Sequence, residues 1–136
     1  MMLGAVAEFK AEYVRTETLL VKAGDLLKAE GDFWHYAMTL IIRIQIMNLT
    51  GNYEETERLL EETERILQTL GDQLLYGYVL NELGRLAAHR GELAQAETYH
   101  HAALAQRTKV GTRTGIAFTE CDLGLVNRLQ AHKACL

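Results

Sequence analysis

Residues 31–70 read GDFWHYAMTLIIRIQIMNLTGNYEETERLLEETERILQTL, and residues 71–110 read GDQLLYGYVLNELGRLAAHRGELAQAETYHHAALAQRTKV. Written one above the other without a gap, they place Gly31-Asp32 on Gly71-Asp72, Tyr36 on Tyr76, Leu40 on Leu80, Gly51 on Gly91 and Glu57 on Glu97. Each identity is weak alone. All share one offset of 40 residues, and a fixed period of that size is the signature of a repeat architecture.

The grid extends both ways. Residues 11–30 fit over 51–70, with Tyr13 on Tyr53, Thr16-Glu17 on Thr56-Glu57 and Leu19-Leu20 on Leu59-Leu60. Residues 111–130 fit over 71–90, with Gly111 on Gly71 and Leu123-Gly124 on Leu83-Gly84. The chain therefore reads as one domain: a partial unit at 1–30, full units at 31–70 and 71–110, and a partial unit at 111–136.

Each unit divides at its internal glycine into two stretches of helical periodicity. In residues 53–70, Leu59, Leu60, Ile66, Leu67 and Leu70 recur at spacings of three and four with glutamates between them, giving one buried and one solvated face. Glu54–Arg58 and Glu61–Arg65 stand at i,i+4 in the favourable order. Gly31, Gly51, Gly71, Gly91 and Gly111 fall where helices must stop and the chain reverse, which suits a residue tolerant of positive φ. The stretch 33–47, with Phe33, Trp34, Met38, Leu40, Ile41, Ile42, Ile44, Ile46 and Met47, leaves almost no polar side and must be covered on most faces. The expected fold is all-α, with about six helices including the partial terminal units.

Composition supports this. The chain has 136 residues, 49% apolar and 24% charged, with no proline. That is ordinary for a soluble globular domain and unlike a turn-rich β fold. A net charge of −4 offers no basic footprint for a phosphate backbone, so direct nucleic-acid binding is not expected. Two cysteines, Cys121 and Cys135, make neither a disulfide framework nor a zinc pattern and read as thiols of the cytoplasm. The longest apolar run is too short for a membrane span, and the start of the chain lacks the pattern of a signal peptide.

The second full unit resembles a tetratricopeptide repeat (TPR), whose pattern runs W-x2-L-G-x2-Y, A-x3-F and P. Leu80 stands at the tryptophan place, Leu83-Gly84 match, and Ala87 takes the tyrosine place. Ala96 matches the small residue, His100 stands at the phenylalanine place, and the proline is missing. The first unit has Arg43-Ile44 for Leu-Gly and then Thr56 and Leu60; the last keeps Leu123-Gly124 but has Glu120 and Asn127 at the aromatic places. The 40-residue period resembles the TPR regions of large bacterial transcriptional activators of the maltose-regulator type. The resemblance implies a right-handed superhelical stack of antiparallel helix pairs, an α-solenoid.

It also implies a role in recognition. TPR stacks line a concave groove with the first helix of each pair. Carried over residue by residue, the groove takes Met38, Ile41, Gln45 and Asn48 from the first full unit. The next unit gives Tyr78, Asn81, Arg85 and His89, and the last gives Phe118, Leu125 and Arg128. Apolar pockets flanked by amide and guanidinium donors suit a peptide or protein partner. The lysine, arginine and asparagine clamp that some TPRs use for C-terminal carboxylates is not evident.

Catalytic and metal readings find less support. Glu97-Thr98-Tyr99-His100 is a lone Glu-x-x-His, whereas a di-iron bundle needs two plus two further glutamates. His100 falls on Leu60 and Leu20, which points to a partly buried histidine with a local hydrogen bond, and His101 is expected to face solvent. Cys121 lies mid-helix and reads as a small packing residue. No phosphate-cradling glycine loop is present, so neither enzyme activity, metal nor cofactor is expected.

The grid makes residues 1–10 the second half of a first helix and places a last turn near AHKACL. Either the chain is part of a longer solenoid, or its terminal helices meet another copy. The final helix carries Ile116, Phe118, Leu123, Val126 and Leu129 with no following helix to cover them, so self-association into a homo-oligomer through that end is expected.

Overall fold

The computed structural model describes the backbone of residues 2–135 and the side chains of residues 11–134. Among these the fold is all-α with no strand. Six helices follow in order: α1 (Met2–Ala29), α2 (Phe33–Thr50), α3 (Tyr53–Leu70), α4 (Gln73–His89), α5 (Leu93–Val110) and α6 (Arg113–Cys135).

The turns follow the glycines of the grid. Gly31, Gly51, Gly71, Gly91 and Gly111 all have positive φ, between 66° and 86°. The Gly51, Gly71 and Gly111 amides each close back on a carbonyl four residues earlier. At the turns between units, Asp32 and Asp72 then cap α2 and α4 by accepting from the His35 and Leu75 amides. The same grid predicts turns at positions 11 and 131, where alanine stands. There the backbone does not turn: α1 and α6 run straight through. Alanine pays a penalty in the left-handed conformation that glycine escapes, and it is the best helix former. The short first helix expected over residues 1–10 is therefore part of one 28-residue α1.

Successive helices pack against each other. In addition α2 packs on α4 and α4 on α6, whereas among the described residues α3 has no comparable packing against α1 or α5. The even-numbered helices thus form one layer and the odd-numbered helices another. The main core lies between α2, α3 and α4, around Leu40, Ile41, Ile44, Leu59, Leu60, Leu75 and Val79. A second cluster joins Ala87, Ala96 and Val126 of α4, α5 and α6. Buried Thr56 and Thr63 of α3 satisfy their hydroxyls on carbonyls four residues back. Ala96 and Ala103 take those places in α5, and with Gly77 and Gly84 opposite they let α4 and α5 lie close.

Polar bridges fix the register. The Trp34 indole N–H donates to Asp72 at 2.7 Å, and the Tyr36 hydroxyl donates to Glu62 at 2.7 Å. Arg43 donates to Glu17 of α1 at 2.9 Å. On α3, Arg58 pairs with Glu55 at i+3, not with Glu54 as the sequence order had favoured.

Candidate functional site

The even-numbered helices share a cleft of about 210 Å³, lined by Gln45 of α2, by Tyr78, Asn81, Glu82 and Arg85 of α4, by Arg107 of α5, and by Thr114, Gly115 and Phe118 of α6. Five of its lining residues, Gln45, Tyr78, Asn81, Arg85 and Phe118, are among those predicted from sequence. They converge because residues seven apart on one helix return to the same face, and the even helices lie side by side.

A hydrogen-bonded chain underlies the cleft. Asn48 Nδ2 donates to Glu82 Oε2 at 2.7 Å, and Arg85 Nη1 donates to Glu82 Oε1 at 2.9 Å. Arg85 Nε reaches Asp122 Oδ2 at 3.1 Å, and Asn81 Nδ2 donates to the same oxygen at 2.8 Å. That orientation leaves Asn81 Oδ1 to accept, so His100 Nδ1, 2.9 Å away, must carry the proton. The chain therefore joins α2, α4, α5 and α6 with its donor and acceptor roles assigned throughout. Glu82 is 2% exposed, and burial pushes its carboxyl above the usual range, against the pull of Arg85 and Asn48. Burial likewise holds His100 below the ordinary histidine value.

His100 is wholly buried, not partly, and its bond runs to the neighbouring helix, not locally. Its ring lies flat on Gly84: a Cβ added there would meet the ring atoms at 2.6–2.8 Å. An imidazole fits this unit because the facing helix has no side chain at that point. His101 is exposed, with Nε2 3.6 Å from Glu97. Among the described residues, no three His, Cys, Asp or Glu side chains gather where a metal could sit.

The remaining groove residues divide. Ile41 and Asn48 are interior side chains, Asn81 meets the cleft only at its wall, and Met38 is half-buried. His89 stacks on Tyr53 of α3 with ring centroids 5.2 Å apart, so its ring is engaged with the other layer. Phe118 and Leu125 stand 58% and 56% exposed, Leu129 is exposed beside them, and Arg128 is solvated.

The self-association surface expected on α6 also needs correction. Leu123 and Val126 are buried and face inward, and Ile116 is half-buried. Phe118, Leu125 and Leu129 remain free, and spacings of seven and four put them on the face that borders the cleft. The side of α6 bearing Glu120, Gly124 and Asn127 is exposed and polar or small.

Arg107 is not among the groove residues expected from sequence, because the resemblance assigns the groove to the first helix of each unit and Arg107 stands on the second. It lies on α5 at the place held by Leu67 and Leu27. A polar side chain at an otherwise apolar grid place was the available signal, and it marks His100 equally.

Comparison with protein-family models and with curated proteins gave no match. No helix among the described residues is long and apolar enough to cross a membrane.

Proposed function

We propose that the chain is a non-enzymatic protein–protein interaction module of TPR-like construction, whose even-numbered helices form the concave side of an α-solenoid and bind a peptide segment of a partner. The observation that carries this reading is the juxtaposition of the cleft with the apolar stripe Phe118, Leu125 and Leu129. Exposed large apolar side chains in line with a polar cleft match how grooves anchor one apolar face of a helix or extended segment. A bacterial regulatory or scaffold protein in the cytoplasm is the setting that the repeat resemblance favours.

Selection of binders from a random-peptide display library tests it. Enriched peptides should bind at least tenfold more weakly to a Phe118→Ser/Leu125→Ser double variant whose melting is unchanged. Absence of enrichment, or equal binding to that variant, refutes the reading. Asn81 is unsuitable as a probe, because its loss would break the buried chain.

Self-association stays as a second reading, moved by one observation from α6 to α1. Leu19 and Leu26 of α1 are 61% and 68% exposed, whereas Leu59, at the grid place of Leu19, is fully buried in the main core. A second copy covering α1 would make the apparent mass rise with concentration. A strict monomer at tens of micromolar by light scattering excludes it.

A further inference from the structure

A guanidinium taken out of water normally has a carboxylate beside it, since an uncompensated buried charge is strongly unfavourable. Arg107 is only 5% exposed, yet among the described residues no carboxylate oxygen lies within 4.0 Å of it. The two carboxylates of the cleft belong elsewhere: Glu82 to Asn48 and Arg85, Asp122 to Asn81 and Arg85. Arg107 Nη1 donates to the Gly115 carbonyl at 2.7 Å and to Thr119 Oγ1 at 2.8 Å, and the guanidinium carbon sits 4.8 Å from the centre of the Tyr78 ring. Guanidinium carries five donors, and here only those of Nη1 have partners among the described residues.

The side chain reaches this point through a slot. A Cβ on Gly77 of α4 would come within 3.1 Å of Arg107 Cγ, and one on Gly115 of α6 within 2.9 Å of Cδ. Two glycines on two helices thus pass a charged side chain from the odd layer to the cleft of the even layer. The preceding units have leucine at this place, and Ala37 stands where Gly77 would be. The slot and the arginine occur together, in one unit only.

We propose that this cleft binds an anion: the carboxylate of one aspartate or glutamate side chain in a bound peptide, with Arg107 as its counter-charge and Tyr78, Thr114 and Gln45 at its edge. The proposal rests on the peptide-binding reading above. The Nε and Nη2 donors of Arg107 have no partner among the described residues, and the planar fork they form matches a carboxylate in two parallel hydrogen bonds. A phosphate dianion is disfavoured, because Glu82 and Asp122 line or adjoin the same space.

Amide shifts of the isotope-labelled chain, titrated with sodium acetate against sodium chloride at constant ionic strength, test the site. Saturable shifts at Tyr78, Thr114 and Phe118 are expected in the wild type, at least tenfold weaker in Arg107→Leu and partly retained in Arg107→Lys. Leucine is the residue the repeat itself carries at this place, so that variant should fold. Shifts that never saturate, or that persist unchanged in Arg107→Leu, overturn the proposal, and so does tighter binding of inorganic phosphate than of acetate. A second arm uses peptides from the display selection, with each acid changed in turn to its amide. One such change should weaken binding about tenfold to the wild type and leave binding to Arg107→Leu unaltered. Peptides indifferent to every change overturn the anion site while the groove reading stands. Saturable acetate binding without any selected peptide upholds the anion site and removes the groove reading.

Discussion

Gly84 and Gly124 occupy the same grid place in two helices, and the structure predicts opposite responses to the same substitution. Alanine in a helix interior is favoured over glycine by about 1 kcal/mol. At Gly124, nothing lies within 4 Å of the added Cβ, so Gly124→Ala should stabilise by about 0.5–1 kcal/mol. At Gly84, the new methyl would meet the His100 ring at 2.6 Å, about 0.8 Å inside ordinary contact. The ring is buried and bonded to Asn81, so it has no open space to enter. Overpacking of this kind costs about 1–3 kcal/mol, and a ring displaced from Asn81 leaves a buried acceptor unpaired for about 1–3 more. Less the helix gain, Gly84→Ala should destabilise by about 1–5 kcal/mol. Urea denaturation followed by circular dichroism measures both variants. Adding His100→Ala to Gly84→Ala should cost less than His100→Ala alone, with a coupling of about 1 kcal/mol or more. If Gly84→Ala stabilises as much as Gly124→Ala, the ring does not lie where described and the account of His100 fails.

Three further outcomes are expected. Because His100 titrates below its unfolded value of about 6.5, the unfolded chain takes up that proton first as pH falls. Its contribution to stability is present above about pH 6.5 and lost below, and this slope should shrink in His100→Leu; an unchanged pH profile counts against a buried neutral ring. Glu82 has the opposite sign: its raised folded value makes its contribution most favourable below about pH 4.5 and progressively lost as pH rises through the folded value. Glu82→Gln should therefore gain on the wild type with rising pH in urea titrations, and a pH-independent difference refutes this. Asp72→Ala removes both the cap of α4 and the acceptor of the Trp34 indole, and should cost about 1–3 kcal/mol. As Trp34 is the chain's one tryptophan, its emission should shift in the folded variant; unaltered emission would mean the bond is not made.

The helices were legible because glycine writes its own conformation. Wherever the grid put glycine at a unit boundary or its midpoint, the chain turned, and at positions 11 and 131 the period alone misled because alanine stands there. The cleft was half legible. Which helical face bears Tyr78, Arg85 and Phe118 follows from spacing, whereas the depth to which Asn48 and Asn81 sink depends on how closely the even helices approach. What seats Arg107 and His100 was hidden for one reason: each comes from the opposite layer, and each needs a glycine on a different helix. Such pairs are set by distance in space and leave no spacing to read.

The partnership of Gly84 with His100 bears on how such a chain can be rearranged. At the corresponding places of the preceding unit stand Ile44 and Leu60, both in the core, so bulk and smallness have changed sides between the two hairpins. Grafting the segment of α5 in place of α3 would drive an imidazole into an isoleucine. The reverse graft would set a leucine on bare backbone and leave Asn81 without its donor. Recombination that breaks the chain at Gly51 or Gly91 separates partners that were fitted to one another. Breaks at Gly31, Gly71 or Gly111 keep them together and carry the aspartate cap along with α2 or α4. The heritable module of this protein is thus a pair of helices beginning at a Gly-Asp or Gly-Thr junction, and shuffled libraries cut there should yield folded chains far more often than libraries cut at the hairpin tips.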